Sequence, residues 1–223
     1  MLILATEFEE FGYTLYDQRY RGNLRLSTVD HGLSAALWER IRAHVPAAMH
    51  DPKVPGKIWQ AVGLNEMLRM AKYRPGDRFA VHADSCFDRH KMGVANGKPE
   101  ERSMLTVNVY LNTDFEGGRT RFYKGDVRWG AVDPDESKYL VYALEPEAGE
   151  ACVFPQQPAA SLMHDGEEVR GSEIQFKYLL RTDVMYRVDM AKSDAEAMRK
   201  AAMDEEFARM MRADAALRGG TSD

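Results

Sequence analysis

A chain of 223 residues, 44% of them apolar, can bury one sizeable core, and no Pro-, Gly- or Ser-rich linker divides it, so a single domain over residues 1–223 is expected. The formal net charge of -5 comes from 30 basic and 35 acidic residues spread along the chain. This argues against a general nucleic-acid or anionic-membrane surface, either of which would show a basic stripe. Cys86 and Cys152 are too few for a disulfide framework, and the apolar start of the chain breaks at Glu7, Glu9 and Glu10, so neither a signal peptide nor a membrane span is read. The expected compartment is a reducing cytoplasm.

In chain order, Leu2 to Ala5 reads as a short strand and Phe8 to Leu26 as irregular chain or an edge strand. Leu33, Ala36, Leu37, Ile41 and Val45 then recur at helical spacing after Asp30, and Pro46 marks the end of an amphipathic helix whose role is to cover a sheet. His50 to Gly56 is punctuation. Asn65 to Tyr73 reads as a strand or a helix-to-strand transition, Pro75-Gly76 as a tight turn, and Phe79 to Asp84 as a strand. Ser85 to Arg102 is polar and glycine-containing, a long loop with the character of a lid.

Met104 to Leu111 alternates with period two; Gly117-Gly118 makes a turn, and Arg119 to Tyr123 is expected to return as the partner strand. Between Lys124 and Gly149 only Tyr139 to Leu144 is clearly apolar. Glu150 to Phe154, Ser161 to His164 and Ile174 to Val188 supply further strands, joined by Pro155-Gln156-Gln157-Pro158 and by a polar turn at Asp165 to Ser172. Ala191 to Leu217 lacks Pro and is rich in helix formers, so a long helix is expected there. Its stripe of Met198, Ala202, Phe207, Met210 and Met211 is expected to pack on the body or on a second subunit.

The chemistry-bearing stretch is Tyr73 to Asp84. His82 and Asp84, two apart on extended chain, project to the same side, and His164 after a short apolar strand offers a third ligand. Two histidines and one carboxylate suit a non-haem Fe(II) site with open positions. The pair alone is weak, since six histidines and 35 acidic residues in this length give roughly one such spacing by chance. The alternative is a pair of hydrogen-bonded core histidines with a turn aspartate. His31, His44, His50 and His90 lack the strand context and read as surface residues.

Several blocks in order extend the pattern: Tyr73-x-x-Gly76-x-x-Phe79-x-x-His82-x-Asp84, Thr106 to Asn112, Phe115 to Phe122, His164-x-Gly166, and Lys177 to Tyr186. Together, over residues 65 to 188, they resemble the prolyl 4-hydroxylase-like branch of the Fe(II)/2-oxoglutarate dioxygenases. The resemblance implies a mainly β fold with flanking helices, a double-stranded β-helix (jelly roll, cupin-like) core, with residues 1–64 as a supporting region and 189–223 as a C-terminal helix and tail. It implies His82, Asp84 and His164 as iron ligands, Tyr73 and Lys177 as the binding groups for 2-oxoglutarate, Thr120 as a lining residue of that pocket, and ascorbate as a reductant. The His164-to-Lys177 interval of 13 is longer than the family's usual ten, which makes Arg181, four residues on and on the same strand face, the second candidate for the 2-oxoglutarate anchor. Of Asn108 and Tyr110, at most one is expected to reach the site.

The activity so implied is hydroxylation of an aliphatic C–H bond using dioxygen, with 2-oxoglutarate converted to succinate and carbon dioxide. The substrate is a prolyl residue in a peptide or, alternatively, a free amino acid or natural-product intermediate. Asp84 separates the chain from related halogenases, where a small residue stands at that position. Arg181 and Arg187 show the six-residue interval of oxidative nucleic-acid demethylases, but Ala71 stands where those enzymes carry asparagine. A non-catalytic jelly-roll binding module is the reading from a different class.

Overall fold

A computed structural model describes residues 20–89, 100–156 and 162–219. The strand expected at Leu2 to Ala5 and residues 90–99 of the expected lid lie outside the described residues. Strand β1 (Leu24–Val29) leads to helix α1 (His31–Ile41), capped by the Asp30 carboxylate, which accepts from the Leu33 amide at 2.8 Å. After a short 3-10 turn come β2 (Ala48–His50), β3 (Ile58–Leu64), β4 (Met67–Tyr73) and β5 (Phe79–His82). Then follow β6 (Glu101–Tyr110), the two-residue β7 (Glu116–Gly117), β8 (Thr120–Tyr123), the one-turn helix α2 (Glu136–Tyr139) and β9 (Leu140–Leu144). The series ends with β10 (Ala151–Pro155), β11 (Met163–Gly166), β12 (Val169–Arg170), β13 (Lys177–Val188) and helix α3 (Ala195–Gly219).

Among the described residues all pairings are antiparallel, in two main sheets and one short ribbon, as in the jelly roll expected. The larger sheet is built on β13. Its first half pairs with β4 and its second half with β3, while β6 runs along its opposite edge and carries β10 outward. β1 and β2 close the far side. The smaller sheet has the order β5-β11-β8-β9, and β7 pairs with β12 at one end.

Two corrections follow. The strand after Gly117-Gly118 does not return beside β6: β8 lies in the other sheet, between β11 and β9. The glycines do turn the chain, both with φ near +65°, but the turn carries it across the sandwich because the apolar faces of β8 and β6 are buried by facing one another's sheets. The polar segment Asp165 to Ser172 is also more than a turn, since Val169 and Arg170 pair with β7.

β3 was not anticipated. Its pairing with β13 skips Val62 at a register shift, so Trp59 and Leu64 are buried while Val62 is exposed, and the period-two signal is broken. Trp59 anchors the principal core with Val184, Tyr186 and Val107, and Leu37, Trp38 and Ile41 of α1 pack against that cluster. The Trp59 indole N–H donates to Asp51 at 2.8 Å, and the Arg102 guanidinium lies 4.2 Å above the ring.

Of the stripe expected on the C-terminal helix, Met198 is half-buried and Ala202 is exposed, and the Met211 side chain lies outside the described residues. On α3, Phe207 and Met210 are exposed, as is Met203. No helix among the described residues is long and apolar enough to cross a membrane.

Trp59→Ala should lower stability by about 3–5 kcal/mol in urea unfolding, because it opens a cavity in the principal core and removes one of the hydrogen bonds to Asp51. Phe207→Ala should change it by less than about 0.5 kcal/mol. Equal effects would contradict this division between core and appended helix.

Candidate metal centre and adjoining cavity

His82 and His164 are direct register partners across β5 and β11, which sets their rings side by side with centroids 4.2 Å apart. Asp84 lies two residues past His82 on extended chain and so returns to the same side. Its Oδ1 is 3.8 Å from His82 Nε2 and its Oδ2 is 3.7 Å from His164 Nε2. The three ligand atoms all lie within 4.8 Å of one another, and all three residues are buried.

Both imidazoles are oriented from behind. His82 Nδ1 is 2.8 Å from the Ala80 carbonyl, and His164 Nδ1 is 3.1 Å from that of Leu162. Donation from Nδ1 leaves Nε2 as a bare acceptor, the form in which histidine ligates a metal. Phe79 stacks on His82 at 3.7 Å and Phe154 meets His164 edge-on at 4.6 Å. Burial, reinforced by the neighbouring His164, pushes His82 down to about 3, and burial also lowers His164. Two neutral imidazoles and one carboxylate therefore face a common point, and this donor set fits a divalent first-row metal.

Asp84 is a buried carboxylate with matched partners. Burial alone would raise its pKa, but Arg181 and then the two imidazoles outweigh that and hold it below the usual carboxylate range. Thr106 Oγ1 donates to its Oδ2 at 2.7 Å, and Arg181 Nη1 lies 3.1 Å from its Oδ1. Behind Thr106 stands Gln156, only 1% exposed, whose Nε2 donates to Thr106 Oγ1 and to Asp183 Oδ1 at 2.9 and 2.8 Å, while its Oε1 accepts from Ser103. Asp183 in turn binds Arg69 at 3.1 Å. Thr106, Gln156 and Asp183 were missed from sequence. Polar residues inside strands or turns look solvent-facing, and nothing in the sequence around these three marks them as buried.

The triad opens into a cavity enclosing about 580 Å³, part of it open to solvent, between the two sheets. Tyr73, Thr120, Lys177 and Arg181 all line it. Lys177 and Tyr73 are register neighbours on β13 and β4. Lys177 is 3% exposed, its Nζ donates to the Gly118 carbonyl at 2.5 Å, and among the described residues no carboxylate lies within ion-pair distance of it. Burial pushes its pKa down to about 8, against the weaker pull of Asp165 and Glu167. Asn108 lines the same cavity, and Tyr110 lies on its side of β6, its hydroxyl 2.6 Å from Thr120 Oγ1 and its ring 5.3 Å from Lys177 Nζ. Both reach the region, contrary to the expectation that only one would, because residues two apart share a strand face.

A jelly roll with a buried His-Asp-His cluster at the mouth of a cavity between its sheets has the layout of a metal-dependent enzyme. Residues 68–181, half of the chain, match the profile of the 2OG-Fe(II) oxygenase superfamily, and the chain belongs to that superfamily, an oxidoreductase family that uses Fe(II) and 2-oxoglutarate. Among solved structures it is similar to a Pseudomonas putida prolyl-4-hydroxylase, at 16% identity and a TM-score of 0.44 over 75% of this chain and 71% of that one. It is also similar to the non-heme alpha ketoglutarate dependent epimerase SnoN from nogalamycin biosynthesis, at 12% identity and 0.34 over 76% and 77%. A third is HygX from Streptomyces hygroscopicus with nickel, 2-oxoglutarate and hygromycin B bound, at 11% identity and 0.31 over 77% and 84%. No curated protein matches the chain by sequence.

Thr106→Val keeps the side-chain shape and removes the hydroxyl from both Asp84 and Gln156. Affinity for Mn(II), titrated by electron paramagnetic resonance, should fall about 10- to 100-fold with an unchanged circular dichroism spectrum. Unaltered affinity would show that the network does not support the triad.

Proposed function

We propose that the chain is an Fe(II)- and 2-oxoglutarate-dependent hydroxylase of an aliphatic C–H bond, with Nε2 of His82 and His164 and a carboxylate oxygen of Asp84 holding the iron. The observation that carries this reading is the convergence of two Nδ1-anchored imidazoles and one carboxylate beside a buried lysine that has no carboxylate partner among the described residues. Bound iron supplies oxidation by dioxygen coupled to decarboxylation of 2-oxoglutarate.

The chain's own residues bind, orient and exclude water. Lys177 pairs with the distal carboxylate of 2-oxoglutarate, with Tyr73 and Thr120 as hydrogen-bonding groups around it. A buried dianion needs a fixed cation there, and Lys177 is fully enclosed. Arg181 is placed differently, against Asp84, and serves to hold that carboxylate charged and oriented rather than to anchor the cosubstrate. Phe79 and Phe154 close off the outer faces of the imidazoles. We read residues 1–223 as one oxygenase domain.

The prolyl ring is the substrate that the family resemblance suggests. Between an internal residue of a peptide and a small free acid, the guanidinium-bearing wall of the cavity favours the latter. Nucleic-acid demethylation is disfavoured, because a register shift after Val184 turns Arg187 away to an exposed pair with Glu101 at 2.9 Å, well apart from Arg181.

Iron-dependent release of succinate from 2-oxoglutarate tests the reading, and His82→Ala or Asp84→Ala should abolish it. Retained turnover in either variant would remove that residue from the metal centre. Lys177→Ala should mainly raise the 2-oxoglutarate concentration needed for half-maximal turnover; if Arg181→Ala alone does so, the anchor is Arg181.

The depressed pKa of Lys177 adds a pH dependence. Below about pH 8 the lysine is charged and competent for a dianion; above it the free protein loses that proton, whereas bound 2-oxoglutarate retains it. The dissociation constant for 2-oxoglutarate, measured by calorimetry with Mn(II), should therefore rise about tenfold per pH unit above 8, with proton uptake on binding. A flat profile from pH 7 to 9.5 would contradict the role given to Lys177.

A further inference from the structure

Among the described residues, four cations besides Lys177 line this cavity: Arg21, Arg25, Arg69 and Arg181. The carboxylates lining it are Asp84 and Asp165, and Asp165 is held by Arg121 at 2.6 Å. With Asp183, which lies beneath Arg69 and Arg181, added to them, cations still outnumber carboxylates among the described residues of the cavity. A divalent metal and a 2-oxoglutarate dianion cancel one another, so loading the site does not remove the surplus.

The surplus has a location. Arg69 on β4, Arg181 on β13 and Asn108 on β6 occupy one row across the larger sheet, Arg181 being the register partner of both others. Lys177 and Tyr73 form another row of the same face, four residues along β13, about 13 Å away at the usual strand rise. The cavity thus has two polar ends, one suited to the distal carboxylate of 2-oxoglutarate and the other to something else. Within the second row, Asn108 is 7% exposed, and among the described residues its Oδ1 has no hydrogen-bond partner, nor has the buried Nε of Arg181. Buried amide and guanidinium atoms left without partners are disfavoured unless a ligand supplies them.

We infer that the Arg69–Arg181–Asn108 row is the substrate's recognition site and that the substrate is a small molecule bearing a free carboxylate. This rests on the Fe(II)/2-oxoglutarate reading above. Arg69 and Arg181 give part of their N–H groups to Asp183 and Asp84 and are about a fifth to a quarter exposed, at 19% and 24%. The few donors left on the cavity side match the two coplanar oxygens of a carboxylate better than the three of a phosphate. Asn108 beside them offers both a donor and an acceptor to a neighbouring amine, amide or hydroxyl.

The test uses the full chain loaded with Mn(II) and saturating 2-oxoglutarate without oxygen, at ionic strength held constant with chloride, so that the Lys177 end is filled. Thermal unfolding is followed while titrating N-acetyl-L-proline against N-acetyl-L-prolinamide, acetate against acetamide, and inorganic phosphate. The acids should raise the midpoint saturably, with at least tenfold lower half-saturating concentration than their amides. Arg69→Gln should abolish that preference, and Arg69→Lys, which keeps the charge facing Asp183, should restore part of it. Acids and amides that act alike, or a complete lack of response, would overturn the proposal, as would persistence of the preference in Arg69→Gln. Phosphate saturating below the acids would overturn the carboxylate in favour of a phosphate group. Failure of 2-oxoglutarate itself to bind the Mn(II)-loaded wild type would instead defeat the reading on which the proposal stands.

Discussion

Taking a carboxylate out of water is tolerable only when each of its oxygens is met, and Asp84 is met from two strands of the larger sheet: Thr106 on β6 at one oxygen and Arg181 on β13 at the other. That constraint ties the two sheets together at the site. The histidines belong to the smaller sheet, with Asp84 just beyond it, whereas the groups that keep Asp84 charged belong to the larger one. A shift of β13 against β6 by one residue would turn Arg181 away from the cavity and leave the carboxylate without its cation. The long pairing of β13 with β6 on one edge and with β4 and β3 on the other resists such a slip.

Behind this pair, Gln156 converts local support into a network. One amide touches Ser103, Thr106 and Asp183, so the orientation of Asp84 depends on residues from β6, β13 and the end of β10 at once. Each polar atom in the chain of bonds from Asp84 to Arg69 has a stated partner, which is the condition under which a buried polar network rigidifies a site rather than weakening it. Asn108 Oδ1 and Arg181 Nε, two of the buried atoms without a hydrogen-bond partner among the described residues, belong to residues that line the cavity.

What could be read from the chain followed from interactions short in sequence or fixed in spacing. His82-x-Asp84 on extended chain, the turn at Pro75-Gly76 and the alternation over Met104 to Leu111 all carry local signals, and the ordered blocks from Tyr73 to Tyr186 placed them within one family. The strand partner of β8 was misread because Gly117-Gly118 specifies a change of direction, while the choice of β11 over β6 is made by packing between sheets. β3 was hidden by its register shift at Val62, and the supporting polar residues by the absence of any pattern separating a buried Thr106 or Gln156 from an exposed one. The stripe on α3 illustrates the converse: apolar spacing on a helix shows a face, not that anything covers it.

The arrangement separates the parts of the reaction by sheet. The proposed metal ligands come from β5, its immediate extension and β11, so their geometry is set by one strand pair and two backbone carbonyls. The groups proposed to face cosubstrate and substrate stand mainly in rows on β4, β6 and β13 of the larger sheet, with Thr120 on β8 across the cavity. On the proposal made above, substitution at Arg69 or Asn108 would alter what the cavity accepts without touching a proposed metal ligand or the carbonyls that orient the imidazoles. Arg181 cannot be changed so freely, because the same guanidinium that faces the cavity also holds Asp84 charged. Recognition and metal binding are coupled at that one side chain. A substrate carboxylate drawn to Arg181 would compete with Asp84 for its N–H groups, and Arg69, whose carboxylate partner Asp183 lies outside the triad, is the residue free to take the larger share of that charge.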